Sequence, residues 1–211
     1  TGANATVGHG LGVAPEMIII KGVEALGTGA GWVVYHVGYG ATGSGRLNTT
    51  AAFSADSTML NDTAPTSSVF SLGSAYKPNQ SAKDYVAYCF APSQFISLGS
   101  YEGNANADGA FVPALNSLGI PLQPVFRLSK NIDIVGDWLI QDTGRSPYNV
   151  ANAQLKPNQT EAETTGNIYD IDTGGFKERA ASSLTNKANT HIQLVVGTPI
   201  IDTDGRIIAG R

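Results

Sequence analysis

Two stretches of this chain read as copies of one another, and this repeat limits the possible folds more than any other feature of the sequence. Trp32 and Trp138 are 138 − 32 = 106 residues apart, and Phe70 and Phe176 are 176 − 70 = 106 apart. Two further pairs keep the same order at nearly the same spacing: Pro92 with Pro199 (199 − 92 = 107) and Pro15 with Pro124 (124 − 15 = 109). A period of this length indicates duplicated domains or half-domains, because solenoid repeats are shorter.

Short runs of β-branched and aromatic residues fill both copies. The 25 Gly and 10 Pro residues interrupt helical periodicity every few positions, so strands are predicted throughout. We predict strands at Met17–Gly22, Trp32–Val37, Val69–Leu72, Asp84–Phe90, Phe95–Tyr101, Val125–Ser129, Trp138–Asp142, Ile168–Ile171, Gly175–Arg179 and His191–Val196. Single helical turns are predicted at Thr50–Asp56 and Asn149–Leu155.

This pattern predicts an all-β fold, an antiparallel β-sandwich of the jelly-roll or lectin-like kind that is internally duplicated. The first β-sandwich repeat is placed at residues 1–95 and the second at 96–200. Residues 201–211 are expected to form a C-terminal extension strand, since Ile alternates there with small and charged residues around a turn. Whether the repeats form two sandwiches or two halves of one is left open.

Trp32 and Trp138 are each expected to anchor a core, because burying an indole removes a large apolar area from water. Alternation along the first Trp strand places Trp32, Val34 and His36 on one face. The alternative, in which the Trp residues are platforms for sugar stacking, is the less favoured interpretation.

The charge of the chain argues against nucleic acid as a partner. The formal net charge is −4, and the 13 basic residues are scattered, whereas a DNA-binding surface needs clustered Lys and Arg. Membrane insertion is not expected either, because the apolar run Met17–Ile20 is far shorter than the roughly 20 residues of a spanning helix. Charged residues make up 14% of the chain, against about 25% in ordinary soluble domains, so Gly, Ser, Thr, Asn and Ala supply much of the surface.

Several phrases of the sequence resemble a known family. "ATVGHGLGVAPEMIIIKG", "GWVVYH", "LNTTAAFSADSTMLNDTAPTSSVFSLGS" and "DYVAYCFAP" resemble a domain that recurs, usually in tandem, in tail-fibre or adhesin-like proteins of tailed bacteriophages. "LGSYEGNANADGAFV" is similar to the junction between copies, and "SPYNVANAQLKPNQTEAE" with "GGFKER" to the second copy. The last strand, "HIQLVVGTP", departs from the family because it is not rich in aromatic residues.

The resemblance implies a protein on the surface of the virion, outside the cell. Its expected partners are other virion proteins and a host cell-surface glycan or outer-membrane receptor, and a homotrimer is expected because fibres are usually three-fold. The resemblance supplies no catalytic residue, so the chain is not expected to be an enzyme and its binding residues stay unidentified.

Motifs for catalysis are weak. Gly43–Gly45 lacks the spacing of a nucleophile elbow, and Gly27–Gly31 lacks the Lys and Ser or Thr of a phosphate loop. Cys89 lies in an apolar run and is expected to be a buried, inert thiol, because no basic partner is near it in sequence.

The histidines are not spaced as metal ligands. His36 and His191 lie in predicted strands and are expected to be structural, and His9 is expected to be exposed in a Gly-rich turn. The segments Asp170–Gly175 and Asp202–Gly205 resemble fragments of calcium loops, but both lack the distal Glu, so turn chemistry is favoured over a bound cation. No cofactor or metal site is predicted.

Carboxylates near the second Trp strand are the remaining catalytic candidates: Asp133, Asp137, Asp142, Glu161 and Glu163. A glycosidase needs two carboxyl groups about 5–9 Å apart. Asp137 and Asp142 are separated by an odd number of residues, so a regular strand places them on opposite faces, and solvated loop carboxylates are favoured.

The sequence therefore favours attachment of a phage appendage to the host surface, through loops that bind a glycan receptor or an outer-membrane component. A purely structural role in the virion, as a capsid decoration, collar or fibre shaft, is the alternative. Cleavage of a host glycan is the weaker alternative.

Overall fold

The computed structural model describes residues 2–23, 31–201 and 205, and the chain divides into two compact units between Ala91 and Pro92. Strands account for 43% of the chain and helices for 4%, and the sheets are antiparallel. The predicted all-β, antiparallel sandwich class is confirmed. Within the described ranges, no helix is both long enough and apolar enough to cross a bilayer.

The first unit is built from short strands and two single-turn helices: β1 (Ala5–Gly8), β2 (Met17–Gly22), β3 (Val33–His36), β4 (Gly43–Arg46), β5 (Ser54–Ala55), α1 (Ser57–Leu60), β6 (Val69–Leu72), α2 (Tyr76–Asn79) and β7 (Tyr85–Phe90). One sheet has the order β5-β4-β3-β2-β7, and β1 pairs separately with β6. Ile18 and Ile20 of the larger sheet and Phe70 and Leu72 of β6 belong to one buried cluster. The core of this unit therefore joins its two sheets.

The second unit contains β8 (Ile96–Glu102), β9 (Phe111–Pro113), β10 (Leu122–Asn131), β11 (Leu139–Asp142), β12 (Ala151–Gln154), β13 (Thr164–Asp172), β14 (Gly175–Glu178) and β15 (Thr190–Pro199). These strands form two four-stranded sheets, β11-β10-β15-β8 and β12-β13-β14-β9. Its core cluster takes Leu139 and Val195 from the first sheet and Val112 and Tyr169 from the second. This unit is a two-sheet sandwich.

The local sequence explains the central strand of the first unit. Met17 to Ile20 are four consecutive apolar residues, and all four are buried, because β3 and β7 flank β2 on both sides. The short helix α1 begins where the Asp56 side chain accepts a hydrogen bond from the Thr58 amide at 3.0 Å. It ends at Asn61, whose φ of 55° is left-handed.

The two units pair their central strands in the same way. β2 lies between β3 and β7 as β10 lies between β11 and β15, and the pairing of β1 with β6 matches that of β9 with β14. Ile18 pairs with Cys89 in the first unit. Arg127 pairs with Val195 in the second. The offsets, 127 − 18 = 109 and 195 − 89 = 106, are those of the sequence repeat, as internal duplication predicts.

The two units differ at their edges. In the second unit β8 pairs with β15 in seven-residue register, from Ile96 opposite Val196 to Glu102 opposite Thr190. In the first unit β7, the counterpart of β15, pairs with β2 alone among the described strands. The second unit thus has a covering strand that the described part of the first unit lacks.

Each of the ten strands predicted within the two repeats lies on an observed one, but five observed strands were missed: β1, β4, β5, β9 and β12. All five are short and lack a run of large apolar residues. Within β4, Gly45 packs so closely that an added Cβ would lie 2.1 Å from the Phe53 ring. Small residues are needed there, so this strand has no run of large apolar residues from which it could be predicted.

Both predicted helical turns were wrong. Thr50–Asp56 contains β5 and the N-cap of α1, and the helix itself begins at Ser57. Asn149–Leu155 contains β12, which pairs with β13. Pairing with a distant strand outweighed weak local helix propensity in that second segment.

The predicted repeat boundary at residue 95 lies 95 − 91 = 4 residues beyond the division between the units. Phe95 and β8 therefore belong to the second unit. Of the predicted extension strand at 201–211, residues 202–204 and 206–211 lie outside the described residues, and so do residues 27–30 of the Gly27–Gly31 segment.

Candidate functional site

The carboxylates near the second Trp strand each have their own partners. Asp137 accepts hydrogen bonds from Asn158 at 2.7 Å and Gln159 at 2.9 Å. Desolvation raises the pKa of Asp137, but these two hydrogen bonds and nearby Lys156 outweigh it, so the pKa lies below its ordinary value. Asp137 is therefore held as a carboxylate, which suits a structural acceptor and not a general acid.

Asp142 is held in the same way. Its carboxylate accepts from the Arg145 side chain, with Nε at 2.8 Å, and this contact lowers its pKa in spite of desolvation. Glu163 lies 3.7 Å from the same guanidinium, whereas Glu161 pairs with Lys156. Asp133 accepts from the Thr190 amide at 2.8 Å.

The histidines and the cysteine have structural surroundings. His36 is buried and its Nδ1 accepts from the Gly38 amide at 3.0 Å, while buried His191 stacks on Tyr101 with centroids 5.0 Å apart. His9, predicted to be exposed, is half-buried, and its ring bonds to the Thr66 carbonyl and the Leu11 amide. Burial raises the pKa of the Cys89 thiol, but that residue is half-buried on β7 and not fully inside as predicted.

The Asp170–Gly175 segment contains the end of β13, the hairpin turn and the first residue of β14. Gly174 has φ 88°, which explains the glycine, and Asp170 pairs with Arg179 at 2.8 Å. In the described ranges no group of three or more His, Cys, Asp or Glu residues is placed to hold a metal ion. The Asp202–Gly205 segment is described at Gly205 alone.

An aromatic platform on the first unit, formed by Trp32, Tyr88 and Lys21, is the candidate binding site. The strand registers bring these residues to one face. Ile19 pairs with Val34 on β3 and with Tyr88 on β7, so these three side chains share a face. Lys21 and Trp32 lie two residues from Ile19 and Val34, and alternation along a strand puts them on that face too. The Trp32 and Tyr88 rings are nearly parallel, at 18°, with centroids 6.4 Å apart. The Lys21 ammonium lies 5.9 Å from the indole centroid.

The backbone holds the platform in place. The Trp32 amide donates to the Asn48 side chain at 2.9 Å, and the Leu47 amide donates to the Trp32 carbonyl at 2.9 Å. Tyr88 is 48% exposed, and Val86 beside it on the same face is 42% exposed. Rings fixed in this way offer apolar faces to a ligand together with a polar hydroxyl and one cation.

The same face of the second unit is closed. Trp138 replaces Trp32 and is 1% exposed, Leu194 replaces Tyr88 and is 5% exposed, and Lys130 replaces Lys21 and is fully buried. The prediction that each Trp anchors a core holds for Trp138, whereas Trp32 is half-buried at the surface. The sequence offered a signal for the platform, since Tyr88 and Lys21 fall on the Trp32 face once the strands are paired.

Sequence reasoning also missed a buried ion pair in the second unit. Arg127 of β10 donates to Glu178 of β14 at 2.8 Å, with both side chains fully buried, so the pair joins the two sheets. Arg127 also donates to the Tyr101 hydroxyl at 2.8 Å, and its guanidinium lies 4.6 Å from the Phe176 ring centroid. This enclosed cluster holds the sandwich together and presents no surface to a ligand.

A family model described as a domain of unknown function, DUF7483, matches residues 1–195. No match was found among curated proteins or solved structures.

Proposed function

We propose that this chain, which belongs to the DUF7483 family of unknown function, is a non-catalytic attachment module that binds a glycan of the host surface. The surface platform of half-buried Trp32 and exposed Tyr88 is the observation that carries this proposal. Aromatic faces stack on the apolar faces of sugar rings, and the Tyr88 hydroxyl and the Lys21 ammonium offer polar contacts to sugar hydroxyls or acidic groups.

The comparison between the units supports this choice. A platform required by the fold itself should be the same in both copies, yet Tyr88 is replaced by the aliphatic Leu194. An aromatic pair at the surface of one copy, with Tyr88 exposed, is more easily explained by contact with a ligand than by packing.

The virion setting is supported by the resemblance of the sequence to tail-fibre and adhesin-like proteins. In that setting the chain lies on the particle surface, contacts other virion proteins and assembles as a homotrimer. Light scattering of the purified chain tests the assembly, and a monomeric mass would contradict a trimer formed by this chain alone.

Binding of the labelled full chain to an array of bacterial lipopolysaccharides and capsular polysaccharides tests the attachment role. We expect at least one polysaccharide to bind, and Trp32→Ala and Tyr88→Ala each to weaken that binding at least about tenfold. The physical reason is that covering such a ring is worth about 1.5–3 kcal/mol.

Tyr148→Ala is the matched control, because Tyr148 is an aromatic residue that is 84% exposed in the other unit. It should leave binding unchanged, and circular dichroism should show that all three variants are folded. Failure of every polysaccharide to bind, or equal binding by the Trp32→Ala variant, would refute the proposal. Shortening of the bound polysaccharide would instead indicate a depolymerase.

A further inference from the structure

The outer edge of β7 has backbone groups that β2 does not use. The Val23 amide donates to the Asp84 carbonyl at 2.9 Å, which places Asp84 in a hydrogen-bonded pair of the β2–β7 ladder. Because antiparallel ladders alternate, Val86, Tyr88 and Phe90 point their backbone groups at β2. Tyr85, Ala87 and Cys89 point theirs away, to an edge where no described strand pairs.

Between Asp84 and Pro92, the described β7 edge carries no residue that would discourage an added strand. No charged residue lies between Tyr85 and Ala91, no proline interrupts β7, and Val86 and Tyr88 are exposed. Free edges are normally guarded by charges, prolines or bulges, since they are templates for further pairing. An unguarded apolar edge therefore indicates that something covers it.

The second unit shows what covers an edge of this kind. There the counterpart strand β15 is covered by β8, which runs antiparallel and is itself free of charged residues from Ile96 to Tyr101. Most of β15 is buried, whereas the middle of β7 is exposed. The same central strand order thus appears in the second unit with a covering strand and, among the described residues of the first unit, without one.

A cleft lies beside the β7 edge, between β7 and β1. It has a volume of about 420 Å³, and its walls include Val7, Ile20, Phe70, Tyr85 and Ala87. The equivalent cleft of the second unit, lined by Val112, Gln193 and the β8 residues, is reduced to about 200 Å³. The first unit, in which no described strand covers β7, therefore has the larger and more apolar cleft.

We propose that the β7 edge and this cleft bind an extended segment of a partner polypeptide, which adds to the sheet antiparallel to β7 and inserts apolar side chains into the cleft. The segment is uncharged along its centre, as β8 is. Main-chain hydrogen bonds to Tyr85, Ala87 and Cys89 supply the affinity, and the cleft supplies the preference for apolar side chains.

The carboxylate of Asp84, at one end of the β7 edge, indicates which charge the partner segment carries there. Glu102 of β8 lies opposite Thr190, whose position in the first unit is taken by Asp84 (190 − 106 = 84). An acidic residue at this place in an added strand would face a carboxylate, whereas a lysine would be attracted to it. The partner segment is therefore expected to carry a basic residue opposite Asp84.

Titration of the full chain with labelled synthetic peptides tests the proposal. The first peptide has the sequence of residues 95–102, FISLGSYE, and the second is the same peptide with Glu102→Lys. We expect both to bind, the Lys peptide about threefold to tenfold tighter in low salt, with the difference shrinking as salt is added. A peptide of the same composition in scrambled order should not bind.

Ala87→Pro is the decisive variant, because it removes an outward N–H that β2 does not use, and proline is tolerated at such an edge position. It should weaken peptide binding at least tenfold. Ala87→Glu is a second variant, which places a charge at the cleft and should weaken binding likewise. Ser100→Pro is the matched control, since it alters the outer edge of β8 and should leave peptide binding unchanged.

Two results would overturn the proposal. One is failure of both unscrambled peptides, FISLGSYE and its Glu102→Lys form, to bind, or binding that neither Ala87 variant weakens. The other is a dimer of the full chain that Ala87→Pro dissociates, since the edge would then be covered by a second copy of the chain and not by a partner segment.

Discussion

The interiors of the two units have opposite chemistry at matching positions. In the first unit Ile18 and Leu72 lie in one apolar cluster that joins its two sheets. In the second unit the same positions hold Arg127 and Glu178, at offsets of 109 and 106, and these residues form a buried ion pair. The pairing of the central strands, β3-β2-β7 and β11-β10-β15, is nevertheless the same in both units.

The difference shows that strand register, and not the chemistry of one core pair, defines this fold. A buried ion pair loses its hydration, so its remaining hydrogen-bonding groups need partners inside the protein. Tyr101 of β8 supplies one of them, because its hydroxyl accepts from Arg127 and donates to the Thr185 carbonyl at 2.7 Å. The polar interior of the second unit thus depends on the strand that the described part of the first unit lacks.

Removing one member of the ion pair should have the largest effect. Arg127→Ala leaves the buried Glu178 carboxylate without its cation and should lower the free energy of unfolding of the second unit by about 3–5 kcal/mol. Urea unfolding of the full chain, followed through Trp138 fluorescence in a Trp32→Phe background, measures this change.

The double variant Arg127→Ile, Glu178→Leu is the control, since it copies the first unit into the second. We expect it to recover most of the lost stability, because apolar replacement of a whole buried pair is often neutral or stabilising. If the double variant is as unstable as Arg127→Ala, the two interiors are not interchangeable and the comparison fails.

The second prediction concerns Lys130, the buried counterpart of Lys21. Its ammonium donates to the Gly136 carbonyl at 2.5 Å, and desolvation lowers its pKa from 10.5 to about 8, although Asp137 opposes the shift. Between those two values the unfolded chain holds a proton that the folded chain has released. The stability of the second unit should therefore rise with pH from about 8 towards 10.5, by at most ~1.4 kcal/mol per pH unit from this group.

Urea unfolding between pH 7 and 9.5 measures this slope. Lys130→Met should reduce it, whereas Lys21→Met, at the matching half-buried position, should not change it. Equal slopes in the Lys130→Met variant and the parent chain would show that Lys130 is not the group responsible.

The third prediction concerns the contact between β8 and the polar core. Tyr101→Phe deletes the hydroxyl that bonds to Arg127 and Thr185, and it should destabilise the second unit by about 1–3 kcal/mol. Tyr88→Phe is the control on the first unit and should change stability by less than about 0.5 kcal/mol. An equally small effect in both would mean that Tyr101 does not complete the polar interior.

Much of the fold was predictable because the strands that carry it are apolar and repeated. Runs of β-branched and aromatic residues predict β2, β6 and β7, and the sequence repeat indicates where the equivalent strands of the second unit lie. β4 and β12 were not predictable, since Gly45 and the alanines of β12 are selected by close packing and by pairing with distant strands.

The candidate site was only partly predictable. Trp32 was recognised as important, but its exposure depends on which residues lie beside it on neighbouring strands. Tyr88 becomes its neighbour through the register of β7 on β2. Likewise Arg127 and Glu178 are 51 residues apart, so no local pattern reveals that they meet.

The position of β8 decides where this chain can be cut and recombined during evolution. A genetic breakpoint directly after Ala91 transfers β8 together with the sandwich that it completes. A breakpoint near Gly103 would separate β15 from its neighbour and Arg127 from Tyr101, so the transferred piece would inherit an open sheet and an incompletely bonded charge. Recombination between genes for related chains should therefore favour junctions in the few residues before β8.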